Sequence, residues 1–104
     1  MISPQQLSEA RRAAATLLRQ ANLGVTDAEM ERIEVADFGL SDLRREGAQI
    51  LTWVGTDRIG VKLIALQAWQ ALPEHWHPPV EGDPGKEETI RVVWGRLLVG
   101  TDGP

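Results

Sequence analysis

A chain of 104 residues, 42% hydrophobic and 25% charged, reads as a single soluble domain, residues 1–104, able to bury a core. Its net charge of −4, with no basic stripe, disfavours a nucleic-acid partner. The absence of cysteine excludes disulfides and thiolate metal sites, which suits a cytoplasmic protein, and no apolar run approaches membrane-spanning length.

In chain order, residues 1–32 read as a helical segment. Ser3-Pro4-Gln5-Gln6 is a helix opening: Ser3 can cap, Pro4 suits the first turn, and Gln6 sits at the reciprocal capping position. The polar residues Gln5, Gln6 and Glu9 also exclude a signal peptide here. Leu7, Ala10, Ala14, Leu17, Leu18 and Ala21 follow at helical spacing, with Gly24 as a stop. Thr26-Asp27-Ala28-Glu29 is a second capping box, opening a short helix to about Arg32.

From Ile33 the pattern turns to strands. Ile33-Glu34-Val35 is a short one, and Asp37 to Gly47 is rich in turn formers. Gln49–Val54, Gly60–Trp69 and Thr89–Val99 are rich in β-branched and aromatic residues, with a hairpin turn at Gly55-Thr56-Asp57-Arg58. Four prolines, Pro73, Pro78, Pro79 and Pro84, make the stretch before the last strand a structured loop. Helices followed by hairpin-linked strands predict an α+β domain, with residues 1–32 packed on an antiparallel sheet from 33–104. The last strand has nothing behind it, so either the chain is a fragment or a second copy supplies further strands, as in a homodimer.

The chemistry-bearing residues lie between the last two strands. Both histidines fall in His75-Trp76-His77, a spacing that chance alone gives about 2% of the time. On an extended segment, residues i and i+2 face the same way, so both imidazoles can reach one ion. The alternative is a pair of surface histidines in a polar loop. Gly85-Lys86-Glu87-Glu88-Thr89 places a carboxylate at the start of a strand, where Glu88 can complete a ligand set or belong to an ordinary solvated charge cluster. Lys62 shares strand parity with Ile64, Leu66 and Ala68. If that face is buried, the lysine needs a partner or a function; if it is the open face of an edge strand, the lysine guards against aggregation. Trp53, Trp69 and Trp94 read as core residues, and Trp76 as exposed.

Together these residues resemble the D-lyxose isomerase family of the cupin superfamily. The resemblance rests on Pro73-Glu74-His75-Trp76-His77-Pro78-Pro79, on Gly85-Lys86-Glu87-Glu88-Thr89, and on Trp94-Gly95. Ala36-Asp37-Phe38-Gly39-Leu40 and Thr56-Asp57-Arg58 are similar to the family as well. The spacer from Pro78 to Glu87 is longer than in most cupins, as in these isomerases. The glycine that usually lies six residues before the first histidine is Trp69 here.

The resemblance implies a cupin (jelly-roll) β-barrel, incomplete in this chain, and a manganese-dependent isomerase that interconverts the small sugars D-lyxose and D-xylulose. It implies His75, His77 and Glu88 as three of four metal ligands and Lys62 as an active-site lysine. Mn²⁺ suits imidazole and carboxylate ligands, as do Fe, Co, Ni and Zn. The family's fourth ligand, a histidine, and its downstream acidic residues lie beyond the point where the sequence stops, so the expectation is an N-terminal portion of such an enzyme. A non-catalytic sugar- or metal-binding module and a cupin dioxygenase are the alternatives; the long Gly-Lys-Glu-Glu-Thr spacer favours the isomerase.

Overall fold

The structure is a computed structural model that describes residues 1–73 and 88–100. It divides into two compact units, residues 1–74 and 75–104. The first unit holds helix α1 (Pro4–Gln20), helix α2 (Asp27–Met30) and strands β1 (Glu34–Ala36), β2 (Ala48–Gly55) and β3 (Gly60–Ala65). The strands form one antiparallel sheet in the order β1-β2-β3, so the predicted α+β architecture is present as helices on a three-stranded sheet. Among the described residues the sheet is not closed.

Both capping boxes form. The Ser3 hydroxyl accepts from the Gln6 amide while the Gln6 side chain accepts from the Ser3 amide, and Thr26 and Glu29 repeat the exchange. The Thr26 backbone amide, above all, holds the Glu29 carboxyl below the usual glutamate range; partial desolvation opposes this, and the Thr26 hydroxyl, Arg32 and the Trp53 indole assist. Helix α1 ends earlier than Gly24 because Asn22 takes the left-handed conformation (φ 62°). Leu23 N–H then donates to the Leu18 carbonyl and Asn22 N–H to the Arg19 carbonyl, a Schellman closure built on asparagine instead of glycine.

Helix α1 covers one face of the sheet. Ala14 and Ala15 are fully buried, and with Leu18 they meet Val25, Ile33, Leu51 and Ala65 in the core. Alanines at the contact let the helix axis approach the strands closely. Ile33 and Leu51 are the largest fully buried side chains, each stabilising the fold by roughly 1.5–3 kcal/mol. The facing pairs Gln49↔Ala65 and Leu51↔Leu63 belong to this side of the hairpin. Beyond Thr52 the register shifts by one residue at Trp53, a bulge close to the turn end of the hairpin. The turn itself is closed by Thr56, whose amide donates to the Ile59 carbonyl and whose hydroxyl accepts from the Arg58 and Ile59 amides.

Strand β2 is anchored where it begins. Gln49 and Gln70 are buried and exchange side-chain amide hydrogen bonds in both directions, at 2.9 and 3.0 Å. The second proton of each amide is also used: Gln49 donates to the Ala65 carbonyl and Gln70 to the Leu43 carbonyl. Beside them a parallel bridge joins Glu46 to Ala71, with Gly47 N–H donating to the Ala71 carbonyl and Ala71 N–H to the Arg45 carbonyl. Gly47 lies so deep in this junction that a Cβ would sit 2.7 Å from both the Ala36 carbonyl oxygen and Leu43 Cδ1.

Three expectations change. Strand β3 stops at Ala65, short of Trp69, because residues 67–70 form a turn. Residues 88–100 contain no strand, although Thr89–Val99 has strong β propensity: a strand exists only when paired, and these residues join no ladder. The tryptophans at 53, 69 and 94 are exposed, so they are not core residues; the bulge, the turn and the absence of a ladder, respectively, keep each out of a packed face. Trp76 lies outside the described residues.

Gly47→Ala is expected to destabilise the protein by about 1–3 kcal/mol, because backbone and Leu43 must shift together. Gly24→Ala, where a Cβ meets nothing within 4 Å, is the control and should change stability by less than about 0.5 kcal/mol in urea denaturation.

Candidate functional site

Strand β3 sets the position of Lys62. It is an edge strand among the described residues, and Lys62 lies opposite Thr52, two pairs along from Ile50↔Ile64. Parity puts these four residues, with Glu34, on the face turned away from α1. That face is open: Lys62 is exposed and Ile64 is 49% exposed. Lys62 is therefore an accessible ammonium on a partly apolar surface, with no hydrogen bond or ion pair among the described residues. Among the described residues, Lys62 thus occupies the open face of an edge strand.

His75 and His77 lie outside the described residues. Glu88 is the first described residue after that gap; it is exposed and has an interaction partner. It belongs to the unit of residues 75–104, whereas Lys62 belongs to the unit of residues 1–74. Among the described residues no three histidine, aspartate or glutamate side chains gather as a cation site. No helix among them is long and apolar enough to cross a membrane.

A feature not foreseen in the sequence lies at Trp69. Gln70 N–H donates to the Gln67 carbonyl at 3.0 Å, closing a turn with Trp69 at its third position. Trp69 has φ 63° there, a left-handed conformation that a type II turn reserves for glycine or asparagine. For an L-residue this costs roughly 1–2 kcal/mol. The signal for it was present in the sequence, since Trp69 stands where the motif usually has glycine.

No family model matches the chain. Curated proteins do match, and they are sugar isomerases. Over 95 residues the chain is 47% identical to a D-lyxose ketol-isomerase from Cohnella laeviribosi, covering 91% of this chain and 52% of that protein. Over 103 residues it is 43% identical to a D-lyxose/D-mannose isomerase from Thermosediminibacter oceani, and 39% identical to a D-lyxose ketol-isomerase from a Thermofilum species. Each of these alignments covers 99% of this chain and 57% of the relative. The likeness to D-lyxose isomerases that the motifs carry therefore extends along nearly all of the sequence. The chain spans about half the length of the curated relatives it matches.

Because Lys62 is exposed on an edge strand, Lys62→Ala should leave stability within about 0.5 kcal/mol of the parent in urea denaturation. A larger loss would mean that the ammonium holds the hairpin together.

Proposed function

We propose that this chain carries the metal motif of a D-lyxose isomerase and takes part in the interconversion of D-lyxose and D-xylulose. The observation that supports this is identity of 39–47% to proteins of that name over nearly the whole chain. The intact Pro-Glu-His-x-His-Pro-Pro and Gly-Lys-Glu-Glu-Thr segments agree with it.

In this reading His75, His77 and Glu88 hold a divalent cation, Mn²⁺ first. Their donor chemistry fits: neutral imidazoles and a carboxylate are ligands that borderline and hard divalent ions share. When bound, such an ion would supply Lewis acidity at the sugar's carbonyl and hydroxyl oxygens. The reaction moves one proton from C2 to C1 of the open-chain sugar and a second between their oxygens, turning a C1 aldehyde into a C2 ketone with no change in composition. Lys62 carries protons on an accessible strand face and has the role of donor to the oxygen on which negative charge develops.

The decisive experiment is Mn²⁺ titration of the 104-residue protein beside an assay for D-xylulose formed from D-lyxose. His75→Ala and Glu88→Ala should each abolish Mn²⁺ binding. Lys62→Ala should retain it and lower ketose formation by roughly 10²-fold or more. Unchanged Mn²⁺ affinity in both ligand variants contradicts the assignment.

A further inference from the structure

Residues 88–100 are all exposed, and the large apolar side chains between Ile90 and Val99 lie 39–95% open to solvent. Together they offer on the order of 800 Å² of accessible surface, about what each partner contributes to a standard protein interface. Even positions carry Ile90, Val92 and Trp94, and odd positions carry Val93, Leu97 and Val99, so an extended chain here is apolar on both faces. Residues 89–94 hold a single charge, no proline and no glycine, the composition of a segment that pairs with its own kind.

We infer that this segment is a self-association surface whose partner is the same segment of a second copy, paired as an antiparallel strand about Val93. The charges select that arrangement. Arg91 and Arg96 are the charged residues of 89–99. A parallel, in-register pair would set each arginine against itself. An antiparallel pair centred between Val93 and Trp94 would set Arg91 against Arg96. Like charges directly opposite are destabilising, and antiparallel pairing about Val93 avoids both arrangements.

That register places Val92 against the second copy's Trp94, twice by symmetry, and an aromatic residue opposite a β-branched one is a favourable cross-strand pair. Arg91 falls opposite Gly95, which has no side chain to crowd it. Gly95 itself sits at φ 88° and must extend on pairing, a change that glycine makes without steric cost. The contact is isologous, so the same residues serve both copies. A lone two-stranded ribbon is marginal in water, so the expected dissociation constant is about 10–1,000 μM. The inference does not use the metal motif.

The test is analytical ultracentrifugation of the 104-residue protein from about 1 μM to about 1 mM in excess EDTA, which keeps the outcome separate from the isomerase reading. The mean mass of the parent should rise from that of one chain toward that of two. Val93→Lys and Val93→Glu each set a charge opposite its own copy at the symmetry axis, and each should weaken association at least about tenfold. An equimolar mixture of the two variants should restore association, because lysine then faces glutamate; a variant that had merely unfolded would not be rescued in this way. A parent that stays monomeric throughout, either variant associating as tightly as the parent, or a mixture no tighter than its components would each overturn the inference.

Discussion

The paired amides of Gln49 and Gln70 are the constraint on which the rest of the first unit depends. Both side chains are nearly inaccessible, at 2% and 8% exposure, and each amide places both of its protons on an acceptor. A buried amide is tolerated only when satisfied; leaving one donor or acceptor unpaired costs about 1–3 kcal/mol. The pair therefore fixes several distances at once. It ties β2 to the end of β3 through the Ala65 carbonyl, and the turn at 67–70 to the segment at Leu43. Gly47 follows from this, because the Ala36 carbonyl and the side chains of Leu43 and Gln70 close around a position with no room for a side chain.

From that clamp the functional layout can be traced outward. With β2 fixed at Gln49, strand alternation decides which residues face α1 and which face away. A slip of one residue would turn Leu51 out of the core and Thr52 into it. The same register sets Lys62 opposite Thr52 on the open face, and the bulge at Trp53 relaxes the alternation only after Thr52 has passed. The accessible ammonium is thus a consequence of where two glutamines sit near the other end of the hairpin. On the other side of the clamp, Ala71 is held by two backbone hydrogen bonds shortly before the proline-flanked histidine motif begins.

Much of this was legible in the sequence because it is local. Ser3 with Gln6 and Thr26 with Glu29 announce their helices through chemistry contained within four residues. Ala14 and Leu18 declare a buried stripe by spacing alone. The hairpin at Thr56 is equally local. What was not legible depends on partners far away along the chain. Nothing near Gln49 shows that it will meet a residue 21 positions later. Leu63 and Val61 made both faces of β3 look apolar, so only the docking of α1 shows that Lys62 lies on the open side. Asn22, not Gly24, stops α1: composition points first to glycine, but asparagine also tolerates the left-handed conformation. Thr89–Val99 has the composition of a strand, but composition cannot supply a pairing partner. The proposed metal motif was readable only as a pattern of residue types, His75-x-His77 and then Glu88; the relatives' names agree with the isomerase family it resembles.

The central claim is that His75 and His77 bind one ion together. Pulsed electron paramagnetic resonance of Mn²⁺ bound to this protein tests it directly, because directly coordinated ¹⁴N modulates the electron-spin echo. The account predicts ¹⁴N coupling from both imidazoles, diminished in His75→Ala and in His77→Ala, and lost when both are replaced. A bound Mn²⁺ signal without ¹⁴N coupling, or coupling that survives the double replacement, would contradict it.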